Sequence, residues 1–399
     1  MHKRVPKIRF KKYTDEWEEN LLSEFLEVSK EKNFLEEYDK TDVLSVSGEC
    51  GIVNQIKHKG RSFAGASVAN YGVVNTGDVV YTKSPLLNTP YGIIKTNKGK
   101  PGIVSTLYAV YKPKGNVDPN FVECYFEQNA RINNYLKPLV NKGAKNDMKV
   151  TNENALNGAV TFPNKNEQKH ISEFLMNLDD LIIQNQKILE KYLSIKKSLI
   201  QKVLPTKDNK QRLKLKEQCP VLNKKVAKEI FCEISEKNYI NLPVLSATQD
   251  LGMIFKEPNS ITPNLNNKNY KHVSPKNFVI HLRSFQGGFA HSEYEGITSP
   301  AYTVLKFIDE GSHDDYYWKY VFMSENFIKR LESVTYGIRD GRSIDYNDFL
   351  KMQFSYPDYS VQVKIGNMFK QIDRIVNLYR NKIDKLTKIK NAFLDQMFA

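Results

Sequence analysis

Two long stretches of the chain carry apolar residues at alternating steps of three and four positions, with polar residues between them. This spacing predicts two amphipathic helices, each with an apolar stripe as narrow as that of a coiled coil. The first stripe consists of Ile171, Leu175, Leu178, Ile182, Asn185, Leu189, Tyr192, Lys196, Leu199 and Val203. The second stripe consists of Ile365, Phe369, Ile372, Val376, Tyr379, Ile383, Leu386, Lys390, Phe393 and Met397.

We expect each helix to span about 33 residues and therefore about 50 Å. A narrow stripe that continues over about four heptads is longer than one globular domain usually requires, so mutual packing of the two helices is favoured. The alternative is that each helix packs separately on its own domain. Asn185, Lys196 and Lys390 interrupt the stripes and could fix the register between the helices. The lysines could equally lie at the edge of the stripe with their ammonium groups in solvent.

Before each helix, short apolar runs alternate with Gly, Asn and Pro, as in residues 73–81. This pattern predicts an irregular, strand-rich domain. The expected fold is therefore α+β, with two strand-rich domains joined by two long helices. We place the first domain at 1–163, its helix at 164–204, a polar linker at 205–218, the second domain at 219–357 and its helix at 358–399.

The two halves of the chain are similar to each other. Residues 102–112 match residues 296–306 at six of eleven positions, with an offset of 194 residues. The same offset continues into both helices, where it pairs Gln168 with Gln362 and Lys196 with Lys390. An internal duplication is the simplest explanation, and each copy then consists of one strand-rich domain followed by one helix.

Charge changes this picture by indicating a partner. The 399 residues carry a net charge of +14, which makes a polyanion such as nucleic acid the leading class of ligand. The charge is segregated, because residues 51–150 hold 14 Lys and Arg against five Asp and Glu, whereas residues 15–42 are acidic. No apolar stretch reaches the roughly 20 residues that span a bilayer, so we expect a cytoplasmic protein with no membrane contact.

The familiar catalytic motifs are absent from the sequence. It contains no phosphate-binding loop, no zinc-protease helix, no nucleophile elbow and no dinucleotide-binding glycine turn. Cys50, Cys124, Cys219 and Cys232 lack the spacing of metal ligands. The pair of Asp314 and Asp315 is interpreted as a solvated loop that leads into an aromatic helix, although a metal or acid–base pair is the alternative. We therefore expect no enzyme activity, no metal and no cofactor in this chain.

Three segments resemble the specificity (S) subunits of type I restriction-modification systems. They are residues 5–19, the helix start Phe162-Pro163-x4-Gln168-x2-Ile171 and its repeat Tyr356-Pro357-x4-Gln362-x2-Ile365. In that family a proline, a short spacer, Glu-Gln and isoleucine lead from each target recognition domain into a long helix. This chain has Glu167 in the first copy but Val361 in the second. The resemblance covers essentially the whole chain.

The resemblance implies two antiparallel spacer helices that hold two target recognition domains apart, each reading one half of an asymmetric, bipartite site in double-stranded DNA. It also implies methyltransferase (M) subunits, expected to be two, and restriction or motor (R) subunits. Those partners would bind S-adenosylmethionine, ATP and Mg. Three alternatives stay open: a stand-alone or fused-system DNA-binding adaptor without restriction partners, an enzyme acting on nucleic acid, and a coiled-coil scaffold that binds only protein.

Candidate DNA-binding residues are cations, hydroxyls and amides on turns at matching places in the two copies, because these groups read base edges and hold phosphates. The first turn provides Tyr81, Lys83, Ser84 and Tyr91 in one copy and His281, Arg283, Ser284 and Gln286 in the other. The second turn provides Lys142 and Lys145, matched by Arg339 and Arg342. Further candidates are Lys57, Arg61, Lys95, Lys98 and Lys271. For each residue the alternative is a solvated side chain that touches nothing.

Overall fold

The computed structural model describes residues 5–142, 148–204, 222–248, 251–256, 267–281, 288–331, 335–336 and 343–398. The chain divides into two compact units. Unit 1 comprises residues 1–185 and 382–399, and unit 2 comprises residues 186–381. Each unit therefore contains one strand-rich domain together with a segment of each long helix.

The first copy folds in chain order as follows. Its strands are β1 (Glu18–Leu21), β2 (Leu26–Val28), β3 (Leu44–Ser47), β4 (Gly51–Asn54), β5 (Gly72–Val74), β6 (Val79–Thr82), β7 (Ile94–Thr96), β8 (Gly102–Val104), β9 (Tyr108–Pro113), β10 (Asn141–Lys142), β11 (Met148–Lys149) and β12 (Ala159–Phe162). Its short helices are α1 (Gln55–Lys59), α2 (Pro119–Tyr125) and α3 (Asn129–Leu136). The first long helix, α4, spans Lys165–Val203.

A four-stranded antiparallel sheet in the order β2-β9-β6-β7 forms the centre of unit 1. All four residues of β6 are buried. Val79 and Tyr81 belong to a core that includes Phe121 of α2, whereas Val80 packs with Val74 and other residues of a second cluster. Because both faces of β6 are covered, this strand shows no alternation of apolar and polar residues.

The second copy repeats the first. Its strands are β13 (Leu222–Val226), β14 (Phe231–Ile234), β15 (Leu245–Thr248), β16 (Gly252–Phe255), β17 (Lys271–Val273), β18 (Phe278–Ile280), β19 (Phe289–His291), β20 (Gly296–Thr298), β21 (Thr303–Phe307), β22 (Thr335–Tyr336), β23 (Ser343–Ile344) and β24 (Gln353–Pro357). Its short helices are α5 (Asp315–Met323), α6 (Glu325–Leu331) and α7 (Tyr346–Leu350), and the second long helix, α8, spans Tyr359–Gln396.

Strand pairing in unit 2 matches that of unit 1. The central sheet has the order β14-β21-β18-β19, and β13-β24, β15-β16, β17-β20 and β22-β23 form two-stranded sheets. Each of these has its counterpart in β1-β12, β3-β4, β5-β8 and β10-β11. The predicted α+β fold and the duplication are therefore confirmed.

Both long helices exceed their predicted length. Helix α4 has 39 residues and α8 has 38, which correspond to about 58 and 57 Å at 1.5 Å per residue. The difference arises because α4 begins at Lys165, ahead of its first stripe residue, Ile171. The predicted linker at 205–218 lies outside the described residues. No helix in the described part of the chain has both the length and the apolar character needed to cross a membrane.

The apolar stripes of the two long helices face each other within each unit. In unit 1 the ring of Phe174, next to the stripe residue Leu175, lies 4.9 Å from the ring of Phe393 between centroids. In unit 2 Tyr192 stacks on Tyr379 with centroids 6.1 Å apart. Every stripe residue is buried or half-buried. The beginning of α4 packs on the end of α8 in unit 1, and the end of α4 packs on the beginning of α8 in unit 2. The two helices therefore run antiparallel. Mutual packing is thus confirmed, and separate packing of each helix is wrong.

Candidate nucleic-acid interface

A buried glutamine ties each long helix to the domain that precedes it. The Gln168 amide donates to the carbonyl five residues earlier at 2.9 Å, and its oxygen accepts from the backbone N–H of Asp118 at 2.9 Å. Gln362 makes the same pair of bonds, at 2.9 Å to the carbonyl five residues earlier and at 3.2 Å from the N–H of Asp314. Asp118 and Asp314 in turn cap α2 and α5. The Pro-x4-Gln motif therefore sets the direction of each helix relative to its own domain.

Glu167, which precedes the first glutamine, anchors the N-terminal segment. The Arg9 guanidinium donates to both of its carboxylate oxygens, at 2.7 and 2.8 Å. Glu167 is fully buried, so this bidentate pair is protected from solvent. Phe10 adds an edge contact with Phe174 at 6.0 Å. Val361 occupies the equivalent position of the second copy and offers no carboxylate for such an anchor.

The two lysines that interrupt the stripes each bind an aspartate of the opposite long helix. Lys196 Nζ lies 2.7 Å from Asp373 in unit 2, and Lys390 Nζ lies 2.6 Å from Asp179 in unit 1. The aspartates are themselves separated by the repeat offset of 194 residues, so the two ion pairs occupy equivalent positions. Lys390 also bonds to Glu127. The ammonium groups thus link the helices instead of extending into solvent.

Titration behaviour agrees with this geometry. Burial opposes the charged form of Lys390, but Glu127 and Asp179 outweigh it and raise the lysine pKa above its usual value. Burial likewise opposes ionisation of Asp373, yet Lys319 and Lys196 bring its pKa below the usual value. Both shifts favour the charged forms of Lys390 and Asp373 at neutral pH.

Asn185 behaves differently from the lysines. It is buried, and its amide donates to the carbonyl of Leu181 in its own helix at 2.5 Å. This bond satisfies the side chain locally. The observed bond therefore gives no link between the helices, and the register is held by the lysine pairs and the apolar stripe.

The loop between β6 and β7 is tied to neighbouring segments by backbone hydrogen bonds. The backbone N–H of Lys83 donates to the carbonyl of Leu107 at 3.2 Å, which joins this loop to the β8–β9 turn. Leu86 and Thr89 exchange backbone hydrogen bonds of 3.1 and 3.2 Å. The Asn133 amide of α3 donates to the carbonyl of Asn88 at 3.1 Å. The loop is held at both of its sides.

Lys83 and Ser84 are the residues of this loop best placed to hold a phosphate. Burial lowers the pKa of Lys83, Glu153 acts in the opposite direction and Lys32 adds to the lowering. Among the described residues, the Lys83 ammonium has no hydrogen-bond or ion-pair partner within bonding distance. Ser84 is exposed beside it. A half-buried cation without a bonded partner is the kind of group that phosphate oxygens satisfy.

Three residues of the first copy that were predicted to contact DNA already bond to other groups of the chain. Tyr81 is fully buried and its hydroxyl donates to the carbonyl of half-buried Tyr91 at 2.7 Å. Lys95 is buried at 3.3 Å from Glu123, and Lys98 pairs with the same carboxylate at 3.2 Å. Tyr81 of β6 and Lys95 of β7 are both buried, which corrects their prediction as surface contacts.

A second exposed basic group surrounds α1. Lys57 is exposed in the last turn of this helix. Arg61 is exposed after it, with its guanidinium 4.7 Å from the ring centroid of Phe63. Cation and ring together form a flat surface that can stack on a base or lie against the DNA backbone.

Unit 2 gives less information about its candidates. Lys271 is 3.2 Å from Glu233 and donates to the carbonyl of Tyr302 at 2.8 Å, so its charge is already balanced. His281 is buried, which lowers its pKa, and this corrects its prediction as a surface contact. Lys145, Arg283, Ser284, Gln286, Arg339 and Arg342 lie outside the described residues, and Lys142 is described only as part of β10.

Sequence reasoning missed a buried polar group in unit 2. Asp315, interpreted as part of a solvated loop, is instead 2.7 Å from His291 of β19. Asp314 caps α5 by accepting from the N–H of Tyr317 at 2.8 Å. The side-chain partner of Asp315 lies 24 residues away in the sequence, so no local pattern indicates it. Within the described ranges, no group of three or more His, Cys, Asp or Glu side chains could hold a metal ion.

Two duplicated strand-rich domains and two antiparallel long helices define the fold of type I restriction-modification S subunits, and this chain has that fold. It is similar to the S subunit of a type I restriction-modification system from M. genitalium, with a TM-score of 0.64 and 13% identity over 99% of both chains. The HsdS subunit from Thermoanaerobacter tengcongensis aligns over 96% of both chains, with 14% identity and a TM-score of 0.43.

A third solved structure comes from work on complex assembly and conformational transition of the type I R-M system. It aligns with 96% of this chain and 97% of its own, at 14% identity and a TM-score of 0.48. No protein-family model matches the sequence, and no curated protein matches it. The similarity to the M. genitalium S subunit therefore confirms the fold that the sequence resemblance implied.

Proposed function

We propose that this chain is the DNA-specificity subunit of a type I restriction-modification complex. The observation that carries the proposal is the duplicated architecture, in which two domains of the same strand order are joined to paired helices by equivalent glutamines. Each domain would read one half of a bipartite, asymmetric site in double-stranded DNA. The chain itself would perform no catalysis.

The helices support this role through their length. A helix of 39 residues is about 58 Å long, whereas one turn of duplex DNA is about 34 to 36 Å. A stiff helix pair could therefore set the spacing between half-sites. Methyltransferase subunits, expected to be two, and restriction subunits would assemble on it and supply S-adenosylmethionine, ATP and Mg.

Three cations of unit 1 support the binding of DNA. Lys57, Arg61 and Lys83 have no ion-pair partner among the described residues, and each would release counter-ions when it contacts a phosphate. Replacing Lys83 by Ala is expected to reduce the dependence of log affinity on log salt by about 0.9, the value for one neutralised phosphate. Lys388→Ala is a suitable control, since this exposed lysine of α8 already pairs with Asp384.

The decisive experiment is sequencing of DNA methylation in cells that express the chain with its methyltransferase subunit. We expect adenine methylation in one bipartite motif. Exchange of residues 1–150 for those of a relative should change one half of that motif and leave the other intact. Absence of any split motif would refute the proposal, and methylation by the purified chain alone would indicate an enzyme instead.

A further inference from the structure

The turn at residues 86–89 presents a leucine to solvent. The side chain of Leu87 is 99% exposed. Its backbone position is fixed, because Leu86 and Thr89 on either side exchange hydrogen bonds of 3.1 and 3.2 Å. The adjacent turn carries Leu107, which is 62% exposed and whose carbonyl accepts from the N–H of Lys83 at 3.2 Å. Leu86 is itself 44% exposed, so three exposed leucines accompany Lys83.

A single exposed apolar side chain is common on protein surfaces and needs no explanation. Leu87 differs in its surroundings, since it lies on a turn held by hydrogen bonds and follows an unpaired lysine and an exposed serine. Lys83 lies four residues before Leu87, and Lys32 adds a second cation near Lys83 against the single carboxylate of Glu153, which favours a negatively charged partner. Duplex DNA combines that charge with one apolar feature in its major groove, the C5-methyl group of thymine.

We propose that Leu87 contacts the C5-methyl group of a thymine in the half-site read by unit 1, while Lys83 and Ser84 hold the flanking backbone. The inference rests on the proposed DNA-reading function and names a specificity contact within it. The major groove is about 12 Å wide and admits a protruding element of protein structure. The turn would enter the groove with Leu87 at its tip.

The test replaces thymine by uracil, which lacks only the C5-methyl group. Once the methylated motif is known, affinity of the S–M complex is measured by fluorescence anisotropy for duplexes with one thymine replaced at a time. For one thymine of the unit 1 half-site, the wild-type complex should bind the uracil duplex about four-fold more weakly, the decrease corresponding to one buried apolar carbon. Leu87→Ala should abolish this difference and weaken binding to the thymine duplex.

Leu21→Ala is the matched control. Leu21 is 46% exposed and lies on β1 of the same unit. This variant should retain the full response to uracil. A wild-type complex that tolerates uracil at every position of the unit 1 half-site would overturn the inference, as would an unchanged uracil response in Leu87→Ala. Loss of methyltransferase binding in Leu87→Ala with DNA affinity unchanged would show a protein contact instead.

The outcomes separate the inference from the proposed function. If no bipartite motif is methylated, the proposed function fails before any uracil duplex is made. If the motif exists and Leu87 makes no difference, only the thymine contact is refuted. A 2-aminopurine probe in the half-site adds a further distinction, because a Leu87-dependent rise in its fluorescence would indicate insertion between bases and overturn the methyl contact.

Discussion

Replacement of Lys390 by Met tests how strongly the cross-helix ion pairs stabilise unit 1. Methionine retains most of the apolar stem and removes the charge. The Lys390 side chain is 8% exposed, so its ammonium is largely withdrawn from solvent. Removal of one partner of a fully buried pair costs about 3 to 5 kcal/mol, because the remaining charge is left uncompensated.

The expected loss is smaller here because the pair is only partly buried. Asp179 and Glu127 have side chains that are 38% and 28% exposed, so water can solvate both carboxylates once the lysine is gone. We therefore expect the free energy of unfolding to fall by about 2 kcal/mol, between the values for exposed and buried pairs. Combination with Asp179→Asn should give a coupling energy of about 1 kcal/mol in a double-mutant cycle.

The assay uses the two tryptophans of the chain. Trp17 is buried in unit 1 and Trp318 in unit 2. In a Trp318→Phe background, fluorescence during urea unfolding reports unit 1, and linear extrapolation gives the free energy for each member of the cycle. Lys388→Met serves as the control, since its side chain is 75% exposed and its pair with Asp384 should contribute no more than about 0.5 kcal/mol.

A coupling energy indistinguishable from zero would refute the reasoning. The apolar stripe alone would then hold the helices in register, and the ion pair would be a consequence of their packing. A decrease as small as that of Lys388→Met would lead to the same conclusion.

Two further predictions concern unit 2. Burial lowers the pKa of His313 from 6.5 to about 4. As the pH falls, the unfolded chain therefore binds a proton at this histidine before the folded chain does. The free energy of unfolding should decline between pH 6.5 and about pH 4. In His313→Phe, the urea midpoint should lose this pH dependence, and an unchanged dependence would contradict the assignment. Gly366→Ala places a Cβ against the carboxylate of Asp314, closer than van der Waals contact allows. Displacement of this helix cap should lower the free energy of unfolding, measured by urea titration, by about 1 to 2 kcal/mol. Full stability of the variant would show that the cap can move freely.

The apolar stripes could be predicted because the helical repeat brings every member to one face regardless of the partner. Phe369 and Val376 are buried as that periodicity requires. The partners of the stripe lysines could not be predicted in the same way, since they depend on how two distant segments align. The shared offset that relates Asp179 to Asp373 was the signal available, and it indicates equivalence without indicating contact.

Single-residue predictions on the turns were less successful. The sequence predicts Tyr81 and Lys95 as surface contacts, yet both residues lie in buried strands of the central sheet. Lys95 enters the interior only because Glu123 of α2 neutralises it. This ion pair depends on how α2 packs on the sheet, so the residues next to Lys95 in the sequence do not predict it.

The discontinuity of unit 1 has a consequence for biosynthesis. Its core combines Trp17 and Leu175 with Leu394, near the end of α8, and Phe398, which follows that helix. Unit 2, in contrast, comes from one continuous stretch. During synthesis, unit 2 can fold while the core of unit 1 still lacks the residues that follow residue 381. Unit 1 is therefore synthesised first but completes its core last. Until then its exposed apolar surface is a target for chaperones.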